Sequence, residues 1–115
     1  MTENETIAKV KEIEELLNSL MKDHKAEVGA FMHFLKETIQ EKSLSTKTKE
    51  LISTALSVAT GCEWCIALHV KNALDAGATK DEIIEACFVA VLMAGGPALM
   101  HLIPVMDAIK TFEKK

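Results

Sequence analysis

Very little in this chain stops a helix. Its 115 residues include only two prolines and five glycines, the residues that break regular backbone most strongly. Between them, apolar side chains recur every three or four positions, so the pattern predicts long helices and argues against many short strands. Ile7, Val10, Ile13, Leu17, Leu20 and Met21 predict a first amphipathic helix over about residues 4–22. Val28, Phe31, Met32, Leu35 and Ile39 predict a second, after a soft break around Asp23 to Lys25. SLSTKTK, residues 43–49, is a polar connection with N-cap candidates in Ser45 and Thr46. A third helix carries Leu51, Ile52, Ala55, Val58 and Ala59 to a stop near Gly61. The fourth starts around Cys62 and ends at Gly77, a plausible C-cap. Thr79 and Glu82 form a capping box for the fifth, Gly95-Gly96 ends it, and Pro97 opens a sixth. No stretch alternates with a two-residue period. The expected fold is all-α, about six helices in a single domain over residues 1–115.

Residues 86–106, ACFVAVLMAGGPALMHLIPVM, contain no Asp, Glu, Lys or Arg. That length could cross a bilayer, but the central Gly-Gly-Pro makes two short buried helices the better reading, with no membrane span. A small domain with this much apolar surface is expected to bury part of it against further copies of itself. The net charge is −4 and no basic block occurs, which excludes nucleic acid and anionic membrane surfaces as expected partners. MTENETIAKV is polar and acidic, unlike an export signal, so the expected compartment is the cytosol. Thiols there are normally reduced, and a close cysteine pair suggests metal or redox chemistry more than a structural staple.

Such a pair stands in GCEWCIALH, residues 61–69. If the segment is helical throughout, Cys62, Cys65 and His69 fall within about 60° of one another and can share a site. Covalent haem attachment needs histidine directly after the second cysteine, where Ile66 stands. Structural zinc prefers four ligands around the ion, and three on one helical face cannot surround it. A redox pair fits better. The two sulfurs can close a disulfide across the first helical turn, and a helix N-terminus stabilises the Cys62 thiolate. His69, one turn past Cys65, can exchange that cysteine's proton.

Glu50 can orient His69. In an antiparallel pair of the third and fourth helices turning near Thr60 and Gly61, Glu50 and His69 lie at similar depth, roughly 10–15 Å from the turn. A carboxylate behind an imidazole behind a thiol activates a sulfur nucleophile. Plainer readings stand beside this one: buried packing for the cysteines, and a solvated Glu50 paired with a lysine. Cys87 reads as core, and His101, between Met100 and Leu102, as a satisfied buried or interface histidine. His24 and His33 have no thiol or acidic constellation around them, and the six methionines read as packing rather than copper ligands.

Glu50, Cys62, Cys65 and His69, with the run GCEWCIALHVKNALDAGATKDEI after KELISTALSVAT, resemble the carboxymuconolactone decarboxylase/alkyl hydroperoxidase D family. The likeness is densest over residues 44–96 and extends over 25–112, the expected family core; residues 1–22 lie outside it as an expected peripheral helix. The resemblance implies an all-helical, alkyl hydroperoxidase D-like fold that assembles as a trimer or hexamer. It implies a peroxidase or disulfide reductase needing no cofactor beyond a Cys62–Cys65 disulfide. A small hydroperoxide would be the substrate, a thiol or lipoyl-type compound the electron donor, and a peroxiredoxin a partner. By position, Glu50 and His69 would relay a proton to Cys65, and Cys62 would close the disulfide. Helix position favours Cys62 as the attacking thiol; the neighbouring imidazole favours Cys65. Related proteins carry a second histidine directly before the second cysteine, where this chain has Trp64. Trp64 is then a candidate substrate-binding or docking residue, or simple packing. The rival expectations are decarboxylation of a small lactone acid, which gives the cysteines no task, and a non-catalytic oligomeric binding protein.

Overall fold

The computed structural model describes residues 1–114, and among them there are helices and connections but no strand. Helix α1 (Glu3–Asp23) starts at Thr2, whose hydroxyl accepts the Glu5 N–H. One residue, His24, separates it from α2 (Lys25–Ile39). Ser45 caps α3 (Thr46–Thr60) by accepting the Thr48 N–H. Helix α4 (Glu63–Asp75) follows after two residues. The Thr79/Glu82 capping box forms at the start of α5 (Lys80–Ala94). The carboxylate of Glu82 accepts from the Thr79 N–H and from Lys47, and these bonds hold its pKa below the ordinary glutamate value.

The expected sixth helix is divided in two: α6 (Gly96–Met100) and α7 (Leu102–Phe112) meet at His101. Pro104 supplies the reason. It has no N–H to give the Met100 carbonyl and its ring crowds that group, so the helix restarts with Pro104 in its first turn. Among the described residues there are then six helices of eleven or more residues and one single turn.

Helix α4 is the centre of the packing. It lies against α3, α7 and α1, while α3 also packs on α5 and α2 folds back along α1. Ile66, Ala67 and Val70 of α4 have no exposed surface, and burying an isoleucine or valine side chain contributes about 1.5–3 kcal/mol. Val58 from α3, Ile83 and Cys87 from α5, Ala98 from α6, and Val105, Ala108 and Ile109 from α7 join them in the core.

The uncharged run departs from expectation in one respect. One stripe of it is buried, through Cys87, Ala90, Ala98 and Val105, but Phe88, Val89, Leu92, Met93, Met100 and Ile103 are exposed on the single chain. A helix packed on one side buries only the stripe that faces its neighbours. Leu51, Ile52, Ala55 and Leu56 of α3 join Val89 and Met93 around an open apolar hollow of about 340 Å³. No helix among the described residues is long and apolar enough to cross a membrane.

Candidate functional site

The turn between α3 and α4 places the cysteines. Gly61 ends α3 in the left-handed region (φ 70°, ψ 30°), its N–H bonding back to the Ser57 and Val58 carbonyls. That backbone suits glycine because other residues pay for φ above zero. Cys62 is then extended (φ −93°, ψ 101°) and is the N-cap of α4, its sulfur accepting the Cys65 N–H at 3.2 Å. The shared helical face expected for Cys62 is therefore reached differently: it stands before the helix, and capping rather than helical phase brings it to Cys65. Their Cα atoms are 5.2 Å apart and the sulfurs are joined as a disulfide. Closing so short a loop removes only about 2 kcal/mol of unfolded-chain freedom on the loop-closure argument. Both cysteines are partly exposed, so reagents can reach them.

Behind the disulfide, α3 and α4 bring Glu50 and His69 together. His69 Nδ1 lies 2.8 Å from Glu50 Oε1. Glu50 is 5% exposed, so a carboxylate there is held by its partner rather than by water. The lysines close to it in sequence are engaged elsewhere: Lys47 with Glu82, and Lys49 with the Thr38 and Gln40 carbonyls. The solvated, lysine-paired reading of Glu50 is thus replaced by a buried pair with His69. With Nδ1–H donated to the carboxylate, the imidazole keeps Nε2 as its basic nitrogen. His69 follows Cys65 by one helical turn and its side chain is only 23% exposed.

Trp64 turns away from this pair toward α1. The residue is 45% exposed, and the Lys9 ammonium lies 4.2 Å from its ring centroid. With Glu12, Ile13 and Leu16 it lines an open groove of about 440 Å³. Cys87 is fully buried, and burial pushes its thiol from 9.0 up to about 11. His24 is an exposed junction residue and His33 is exposed on α2. Among the described residues no three His, Cys, Asp or Glu side chains are grouped to hold a metal.

A profile of the carboxymuconolactone decarboxylase family matches residues 27–108. The chain belongs to that family. Protein 4 of the cox locus of Paracoccus denitrificans is 40% identical over 83 residues, covering 70% of this chain and 75% of that protein. A carboxymuconolactone decarboxylase family protein from Legionella pneumophila superposes with a TM-score of 0.92 at 32% identity. It covers 96% of this chain, and 99% of the Legionella chain is matched. Alkyl hydroperoxide reductase AhpD of Mycobacteroides abscessus is 33% identical over 57 residues, which is 50% of this chain but only 33% of that enzyme. These likenesses make the all-α family fold plain.

His101, expected as a satisfied buried or interface histidine, stands beside the cysteine turn. It is partly buried, and its ring lies against the Gly61 turn: a Cβ added to Gly61 would come within 3.2 Å of both Cε1 and Nε2. The signal was present, since it is the only titratable side chain besides Cys87 in residues 86–106.

Proposed function

We propose that this protein is a thiol–disulfide oxidoreductase of the alkyl hydroperoxidase D type, cycling Cys62 and Cys65 to reduce small hydroperoxides or a partner's disulfide. The observation that carries the reading is the buried Glu50–His69 bond one turn behind a cysteine pair at a helix N-terminus. In the reduced protein, His69 Nε2 takes the Cys65 proton, and Glu50 steadies the resulting imidazolium. The Cys65 thiolate attacks the terminal peroxide oxygen and the O–O bond breaks. Cys65 becomes a sulfenic acid, and the alcohol leaves with the proton His69 held. Cys62 then attacks the Cys65 sulfur, the S–S bond forms, and hydroxide departs as water with the Cys62 proton. Two thiols of a donor, lipoyl-type or similar, return two electrons and two protons by exchange.

The open apolar stripe on α5 to α7 supports assembly into a trimer or hexamer, because a lone soluble chain rarely leaves so large an apolar surface to water. A cytosolic setting suits the mechanism, since donors there keep the pair reducible. Trp64 and its groove are suited to contact the donor or a partner protein. Lactone decarboxylation, the chemistry in the family's name, would leave both sulfurs without a role.

The test is a redox titration of the pair by intact mass in thiol/disulfide buffers, followed by peroxide consumption with dithiol donors. A reversible two-electron couple in the range of about −180 to −270 mV, and turnover abolished by Cys65→Ser, are expected. A pair that oxidises only on unfolding, or lactone decarboxylation surviving in the Cys62→Ser, Cys65→Ser protein, would overturn the proposal.

A further inference from the structure

Opening the Cys62–Cys65 bond leaves two sulfurs to protonate, and closing it removes two protons. The Glu50–His69 pair can handle one of them, at Cys65, on its own helix. Cys62 sits outside α4 as its cap, and the residue after it is Glu63, whose negative charge opposes a thiolate. The helix N-terminus favours that thiolate but cannot carry a proton.

Resting on the thiol reading above, we infer that His101 is the proton-transfer residue for Cys62. Three features of its placement carry this. First, its Cε1 and Nε2 edge lies against Gly61, the residue immediately before Cys62; the absence of a side chain at Gly61 makes room for the ring. Second, its Nδ1 is 2.8 Å from the Pro97 carbonyl. A carbonyl only accepts, so Nδ1 carries the hydrogen and Nε2, on the edge facing the turn, is the basic nitrogen. Third, Nε2 has no hydrogen-bond partner among the described residues, and no buried side-chain nitrogen or oxygen among them lacks one. Nε2 is therefore reached by water and can exchange its proton with solvent.

Capping α6 explains only half of the ring: the Pro97 carbonyl accepts from Nδ1–H and from the His101 backbone N–H, and Nε2 takes no part in that cap. Each sulfur then has its own imidazole, reached through a different part of the fold: His69 along α4 for Cys65, and His101 from the α6–α7 junction for Cys62. In the oxidative direction His101 takes the Cys62 proton as that sulfur attacks the Cys65 sulfenic acid, and the proton leaves with hydroxide as water. In the reductive direction it returns a proton to the Cys62 thiolate released by the donor's attack on Cys65. Atoms and charge balance with the donor dithiol supplying both electrons.

The experiment is site-resolved alkylation of the reduced full-length protein with limiting iodoacetamide at fixed neutral pH, read by fragment mass spectrometry. His101→Gln keeps an N–H donor for the Pro97 carbonyl but cannot carry a proton. It is expected to slow alkylation of Cys62 about tenfold, and to leave Cys65 and the thermal midpoint unchanged. His69→Gln should do the opposite, slowing Cys65. In His101→Ala, added imidazole should restore the Cys62 rate in proportion to its concentration. An unchanged Cys62 rate in His101→Gln would overturn the assignment. So would equal slowing of both cysteines with a lowered midpoint, the mark of a purely structural residue. Alkylation needs no peroxide turnover, so the result stands apart from the peroxidase reading: selective loss at Cys62 in a protein inert to peroxides would sink that reading and leave this one.

Discussion

Replacing Glu50 by glutamine separates what the buried pair does for chemistry from what it does for stability. The side chain keeps its size, and its amide oxygen can still accept from His69 Nδ1–H at the position of the present 2.8 Å contact. What goes is the negative charge, inside a site where Glu50 is 5% exposed and screening by water is weak. Stability should barely move, by no more than about 1 kcal/mol in either direction, since removing a buried charge offsets a weaker hydrogen bond. Catalysis should suffer. A charge-assisted bond to an imidazolium contributes about 1.5–3 kcal/mol against about 0.5–1.5 for the neutral bond that glutamine keeps, so losing the charge when His69 takes the proton lowers the rate by about 5- to 12-fold. Glu50→Ala differs: it strands the Nδ1–H of His69 and opens a cavity, so about 1–3 kcal/mol of stability goes as well. Urea unfolding of both variants beside the alkylation rate of Cys65 and peroxide consumption makes the comparison. A Glu50→Gln protein of native stability and native Cys65 reactivity would refute the claim that the carboxylate activates the thiol through His69.

Two further outcomes follow from other parts of the fold. Burial raises Cys87 from 9.0 to about 11, so the folded state holds its proton after the unfolded chain has released it. The resulting stability is complete below about pH 9 and is lost as pH rises to about 11; urea midpoints across that window should fall more steeply for the native protein than for Cys87→Ala, and identical slopes would contradict it. Leu92 and Met93 are about 80% exposed on the single chain. Leu92→Glu with Met93→Glu should therefore convert the proposed oligomer to monomers in light-scattering chromatography without loss of helical circular dichroism; a native protein that is already monomeric would refute the assembly, and an unchanged oligomeric mass would place its interface elsewhere.

Much of this architecture could be read along the chain because its determinants are local. Ser45, the Thr79/Glu82 box, Gly61 and Gly95 act on backbone groups a few residues away, and each sits at a helix end. The division at His101 depends on a proline three residues further on denying a hydrogen bond to Met100, which apolar periodicity does not register. Helical counting puts Cys62 inside α4, whereas its extended backbone makes it the cap; one residue at a helix end is where periodicity carries least information.

The cysteine spacing, the histidine one turn on, the shortage of helix breakers and the apolar run without charge were all determined by the sequence alone. Each is a relation within one helix or across one turn, where 3.6-residue geometry converts position into direction. Packing between helices decided the rest. It buried Glu50 and gave it His69 instead of a lysine, turned Trp64 onto Lys9, left one stripe of α5 to α7 open, and set His101 over Gly61. Residues 61 and 101 are separated by forty positions. What brings them together is the fit of α3 and α6 around a common core, and no local pattern in either segment encodes that fit.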